Sequence, residues 1–176
     1  EELPPLIPAP TSLNMGSGFY ILHTGKNIVF QEGVDSSMVV NLLKSSLWKD
    51  LKSPLKALKV MSHNVPGVTP GIVLIKNSQF KGEAYQLDIT NHVQIEASTY
   101  AGWLYGLKSL QQMLIRGKKV DSKQELPIQF RLPKLTIQDS PQHSWRGVMI
   151  DVSRHFFSID ILHKLVDRMS YYKLNK

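Results

Sequence analysis

Residues capable of chemistry crowd near one end of this sequence. Arg146, Asp151, Arg154 and His155 lie close together around the apolar run Val148-Met149-Ile150. An arginine carries five N–H donors in a planar fork and can grip a vicinal pair of ligand oxygens. The alternative for Arg146 is an ion pair at the start of a strand. Asp151, Arg154 and His155 follow the apolar run, where a loop could orient a ligand or move a proton. They can equally form an internal pair that fixes the loop, and the sequence favours that structural role.

Other chemistries find little support. The chain has no cysteine, so thiolate nucleophiles, thiolate metal sites and disulfides are excluded. The six histidines are dispersed and no H-E-x-x-H motif occurs, so neither a metal site nor a cofactor is expected. Gly102 and Gly106 fit no phosphate-binding spacing. Trp48 and Trp103 fall in or beside helical apolar stripes and read as core, whereas Trp145, beside Arg146, is open to either role.

The net charge is +7, but the basic residues are scattered, and the densest run is Arg116-Gly117-Lys118-Lys119. A nucleic-acid surface would show a basic stripe with interleaved aromatics, so no nucleic-acid partner is expected. No apolar run approaches the roughly 18 residues of a membrane span. The opening "EELPPLIPAP" is acidic and proline-rich and does not read as a signal peptide.

These residues need elements to hold them. The prolines near the start exclude helix there. "FYILHTGKNIVF" predicts two short strands, Phe19–Leu22 and Asn27–Phe30, around a Thr24-Gly25 turn. A helix is expected from about Ser37 to Leu51, with Val39, Leu43 and Leu47 on its apolar stripe. "LKALKVMSH" and "PGIVLIKN" read as strands. "EAYQLDITNHVQIEAS" alternates and predicts a hairpin turning at Asn91-His92. Ser98 or Thr99 caps a second helix with Trp103, Leu104, Leu107, Leu110 and Leu114 inward and Gly117 as terminator. Gly102 and Gly106, one turn apart, would let that helix lie close to a sheet. "LPIQFRLPKLTIQDSP" supplies one or two more strands. With no regular βαβ alternation, the expected class is α+β, an antiparallel sheet carrying two helices on one face.

The last segment differs. Val148-Met149-Ile150 reads as a strand covered on both faces, as in a parallel sheet. Ser158 caps a helix with Asp160 in its first turn and Ile159, Leu162, Val166 and Met169 inward. One such β/α unit cannot bury its own apolar surface, so its neighbours are expected beyond Lys176.

"WRGVMIDVSRHFFSIDILHKLVDRMSYYKLN" closely resembles the opening of the catalytic (β/α)8 TIM barrel of family 20 glycoside hydrolases, the β-N-acetylhexosaminidases. "LIPAPTSLNMGSGFYIL" and "EAYQLDITNHVQIEASTYAGWLYGLKSLQQML" are similar to the non-catalytic α+β domain that precedes the barrel in that family. The resemblance implies a non-catalytic domain over residues 1–138, then a linker and the first strand and helix of an incomplete barrel over residues 139–176. It implies a retaining, substrate-assisted enzyme that removes terminal non-reducing N-acetyl-D-hexosamine from glycans. It implies Arg146 as a substrate-binding residue for the terminal sugar. The family's catalytic Asp-Glu pair is absent from these residues, so no catalytic residue is expected in this chain and the fragment alone should be inactive. A secreted or periplasmic location is expected of the parent enzyme. The competing reading is a non-catalytic carbohydrate-binding or interaction module.

Overall fold

The computed structural model describes residues 4, 6–23, 26–31, 33–34, 37, 56–59, 70–116 and 129–176. The expected helix at Ser37–Leu51, apart from Ser37 itself, the Thr24-Gly25 turn, Trp48 and the helix terminator Gly117 lie outside them.

Among the described residues, seven strands form one sheet: β1 Ser12–His23, β2 Asn27–Phe30, β3 Lys56–Lys59, β4 Pro70–Lys76, β5 Tyr85–Ile89, β6 Val93–Ala97 and β7 Gln129–Asp139, in the order β1-β7-β5-β6-β4-β2-β3. The class is α+β, but the sheet is mixed and not antiparallel throughout. β1 pairs antiparallel with β7, and β5 with both β6 and β7. β2 runs parallel to β3 and β4, and β4 parallel to β6. The physical reason is visible in the burial. Ile72, Val73 and Leu74 are all buried, as are Ile28, Val29 and Phe30, because this half of the sheet is covered on both faces. Val29 and Val73 form a small cluster with Ile75 on one face, while the remaining buried residues join the main core.

The first strand also departs from the expected Phe19–Leu22. β1 is a single twelve-residue strand and pairs with β7, not with β2. Its register with β7 shifts between Met15 and Phe19, where Gly18 adopts φ +83°. β7 is likewise one strand, running through Pro133.

The hairpin forms as its alternation requires. Tyr85, Leu87 and Ile89 on β5 oppose Ala97, Ile95 and Val93 on β6, and all six are buried. Helix α1, Tyr100–Arg116, follows directly. Thr99 Oγ1 accepts the Gly102 N–H at 3.3 Å and caps the helix. Trp103, Leu107, Leu110 and Leu114 are buried as expected. The glycines do bring the helix close. A Cβ on Gly102 would stand 2.6 Å from the Ala84 carbonyl oxygen, and one on Gly106 would stand 2.5 Å from Ile95 Cγ2. Burial extends past the stripe to Lys108, Ser109, Gln111 and Gln112. Gln112 explains part of this. Its amide exchanges two hydrogen bonds with the Ile7 backbone and donates to the Tyr171 carbonyl at 3.0 Å, tying the N-terminal segment to the C-terminal helix.

That helix, α2, spans Ile159–Tyr171, with Ser158 at its N-cap and Asp160 in its first turn. Its expected inner face is only partly covered, with Leu162 and Met169 half-buried. Ile159 and Val166 are each about three-fifths exposed. Residues 141–158 contain no ladder strand, and Met149 is 93% exposed, so the expected strand covered on both faces is not seen. An apolar unit needs neighbours to bury it, and the sheet meets this segment through Arg146 and the residues after α2, not at Met149.

Candidate functional site

A cavity of about 380 Å³ opens where the C-terminal segment meets the sheet. Its polar wall comes from Glu83, Tyr85, Asp139, Arg146 and Lys173, with Pro10 on the N-terminal side. Glu83 precedes β5, Tyr85 opens it, and Asp139 ends the neighbouring β7, opposite Tyr85. The sheet thus brings an acid and a phenol together at one end, and residues just past α2 meet them there.

Two charged fastenings result. In the first, the Lys173 ammonium donates to Asp139 Oδ2 at 2.9 Å and to the Tyr85 hydroxyl at 2.8 Å. Tyr85 Oη lies 2.7 Å from Ser109 Oγ on α1 and donates to Asp139 Oδ2 at 3.0 Å. Asp139 Oδ1 accepts the Thr11 N–H at 3.2 Å. Both charged side chains are deeply buried. Burial holds the Tyr85 hydroxyl protonated well above its usual range, and the Asp139 carboxylate adds to the shift. Burial also pushes the Lys173 pKa down, outweighing the neighbouring carboxylate. Burial would raise the Asp139 pKa, but the Lys173 charge and the hydrogen bonds together hold it below the usual carboxylate range.

Lys173 reaches this position at a backbone cost. It sits at φ +60°, the left-handed region that glycine favours. The Leu174 N–H bonds the Met169 carbonyl at 2.8 Å and the Lys173 N–H bonds the Ser170 carbonyl at 3.2 Å. This is a Schellman termination with lysine where glycine is usual.

The second fastening centres on Arg146. Its side chain is 14% exposed and paired with Glu83 at 2.5 Å. The guanidinium also donates to the Lys173 carbonyl at 2.9 Å, the His143 carbonyl and, at 3.4 Å, the Tyr105 hydroxyl. Glu83 Oε1 meanwhile accepts from Asn175 Nδ2 at 3.0 Å. Four of the five arginine N–H groups are therefore spent within the protein, which is the ion-pair alternative for this residue.

Asp151 and Arg154 do form a loop-fixing pair, but at the surface. Asp151 Oδ1 accepts the N–H groups of Ser153 and Arg154 at 2.9 and 3.1 Å, and Arg154 Nε lies 3.4 Å from Asp151 Oδ2. The Arg154 side chain is 91% exposed. The His155 ring meets Phe157 edge-on at 6.0 Å. Trp103 donates its indole N–H to the Ile75 carbonyl at 2.9 Å and belongs to the core, while Trp145 is 74% exposed. The sequence reading found Arg146 but missed Glu83, Tyr85, Asp139, Lys173 and Asn175. The one signal pointing to them was a lysine at a helix end where glycine would terminate more easily.

The arrangement joins two sequence regions, and comparison with known families places the join. Residues 3–140 match the model of glycosyl hydrolase family 20, domain 2, and residues 143–176 match that of the family 20 catalytic domain. The chain belongs to glycosyl hydrolase family 20. Among curated relatives of this family 20 chain, a β-N-acetylhexosaminidase from Cellulomonas fimi is 29% identical over 174 residues, covering 97% of this chain and 33% of the relative. The β-hexosaminidase subunit B1 of Dictyostelium discoideum is 29% identical over 177 residues, covering 98% and 30%. A solved structure of the Streptomyces plicatus N-acetyl-β-hexosaminidase in complex with thio-NAglucal superposes with TM-score 0.76 at 32% identity, over 97% of this chain and 33% of that one. The chain spans about a third of the length of these relatives. Glu83, Tyr85 and Asp139 lie in the domain 2 match, and Arg146, Lys173 and Asn175 in the catalytic-domain match.

Proposed function

We propose that these residues are part of a β-N-acetylhexosaminidase that removes terminal non-reducing N-acetyl-D-hexosamine from glycans. The observation that carries the reading is the family 20 catalytic-domain match over 143–176, continuous with the domain 2 match before it. In this reading residues 1–138 form the non-catalytic domain and residues 139–176 the linker and opening unit of a (β/α)8 barrel. The exposed apolar residues Val148, Met149, Ile159 and Val166 agree with a unit that awaits barrel neighbours.

The chemistry follows the family's substrate-assisted route. The acetamido oxygen of the substrate attacks its own anomeric carbon, and the sugar–oxygen bond to the leaving group breaks. A glutamic acid protonates the departing oxygen and an adjacent aspartate orients the acetamide, both contributed by residues outside the 176 described by this sequence. Water then opens the cyclic intermediate with net retention.

For this chain's own share, barrel sites lie at the C-terminal ends of strands. Arg146 precedes the apolar run and its donors are engaged by Glu83 and backbone carbonyls. Arg154 follows the run with its guanidinium open to solvent. We assign the grip on sugar hydroxyls to Arg154, oriented by Asp151, in place of Arg146. In the complete protein, an N-acetyl-β-glucosaminide should be cleaved at least about a thousandfold faster than the matching β-glucoside, which lacks the internal nucleophile. Equal rates would overturn the mechanism.

A further inference from the structure

We propose that the N-terminal domain is a template for the catalytic unit. Glu83, Tyr85 and Asp139 act as positioning residues that hold two backbone segments of residues 145–176 in parallel pairing. The inference rests on the reading of residues 139–176 as a barrel opening and goes beyond it by giving the non-catalytic domain a task.

The pairing is made by backbone hydrogen bonds. The Asn175 and Lys176 N–H groups donate to the Arg146 carbonyl at 2.7 and 3.2 Å, and the Val148 N–H donates to the Lys176 carbonyl at 3.1 Å. These segments flank α2, so the three bonds begin a parallel β-α-β ladder. Gly147 permits the approach, since a Cβ there would stand 2.8 Å from the Lys176 carbonyl oxygen.

So short a ladder is not stable by itself. Its outer neighbours give no cover, because Trp145, Met149, Ile159 and Val166 are exposed. What flanks it is the domain. One carboxylate spans both segments, with Glu83 Oε2 on Arg146 and Oε1 on Asn175. Asn175 in turn accepts the Arg146 N–H on its side-chain oxygen at 3.0 Å. Two residues earlier, Lys173 is pinned to Asp139 and Tyr85. The left-handed backbone at Lys173 argues against a casual contact, because glycine would close the helix at lower cost. A one-residue slip in this register would turn every following side chain to the opposite face. The loop Asp151–His155 begins three residues past the ladder, so the register sets where that loop stands.

The test is amide hydrogen exchange by NMR on the 176-residue protein, which needs no substrate and therefore fails or succeeds independently of the hexosaminidase reading. In Glu83→Gln and Asp139→Asn, the Val148, Asn175 and Lys176 amides should exchange about tenfold or more faster than in the wild type, while Leu87 and Ile95 in the hairpin keep their rates. Glu83→Asp, which retains the charge, should recover part of the protection lost in Glu83→Gln. Unchanged rates at the three seam amides, unprotected rates there in the wild type, or equal acceleration in the hairpin of the Glu83→Gln protein would each overturn the proposal.

Discussion

Gly102→Ala should destabilise the protein, although alanine is the better helix former. Alanine gains up to about 1 kcal/mol over glycine within a helix, and less at Gly102, which lies in the first turn of α1. Against this stands the close approach to the sheet. The new Cβ would meet the Ala84 carbonyl oxygen at 2.6 Å and Ala97 Cβ at 2.7 Å. Attractive carbon contacts lie near 3.5–4.0 Å, so about 1 Å of separation must be found. Neither neighbour can rotate away, since one is backbone and the other a methyl fixed to β6. Overpacking of this kind costs roughly 1–3 kcal/mol. The net expectation is a loss of about 1–2 kcal/mol. Gly106→Ala should lose less, because its close neighbours, Ile95 Cγ2 and Tyr85 Cδ2, belong to side chains with some freedom to shift. Urea unfolding followed by far-ultraviolet circular dichroism measures both, with a lower midpoint at unchanged slope as the expected signature. A Gly102→Ala protein as stable as the wild type would refute the packing argument.

Further outcomes follow from the seam. Lys173→Gly relieves the left-handed backbone but leaves Asp139 without its cation, whereas Lys173→Ala loses the cation and keeps the strain. Both should be less stable than the wild type in chemical unfolding, with the alanine variant worse by about 1 kcal/mol; a glycine variant at or above wild-type stability would contradict the role given to the ammonium. The acid limb of stability should depend on Asp139. Its folded pKa lies below the ordinary carboxylate value, so its contribution is complete above that value and fades as pH falls through the lowered one. Unfolding free energies measured from pH 6 down to pH 2 should therefore fall more steeply for the wild type than for Asp139→Asn, and parallel curves would count against the pair. In the complete protein, Arg154→Gln should raise KM for an N-acetylglucosaminide and lower kcat/KM by about tenfold or more, the loss of one charge-assisted contact; unchanged kinetics would remove Arg154 from the site.

Legibility in the sequence tracked locality. The hairpin and α1 were readable because Tyr85–Ala97 alternates with period two and Trp103–Leu114 repeats with helical spacing. Gly102 and Gly106 announced a close helix–sheet contact through their type alone. The parallel half of the sheet was hidden, because β2 and β4 meet only through a crossover whose partners are distant in sequence. The strand expected at Phe19–Leu22 is the second half of the longer β1, which takes Gly16-Ser17-Gly18 into the ladder as a register shift against β7. The seam was hidden for the same reason as the parallel pairs. Glu83, Asp139 and Lys173 belong to three different regions, and each has the type of an ordinary surface charge until the fold gathers them. Arg146 stood out by type, but only its partners reveal that its donors face inward. For α2 the amphipathic pattern was legible, and of its four apolar positions Leu162 and Met169 are half-buried while Ile159 and Val166 are exposed.

The most direct measurement is hydrolysis of a chromogenic N-acetyl-β-D-glucosaminide, followed in parallel with the complete protein and with residues 1–176 alone. We expect turnover by the complete protein and none above background by the 176-residue chain, which lacks an Asp-Glu pair. Turnover by the shorter chain, or inactivity of a folded complete protein, would contradict the assignment of these residues to the non-catalytic domain and opening unit of a β-N-acetylhexosaminidase.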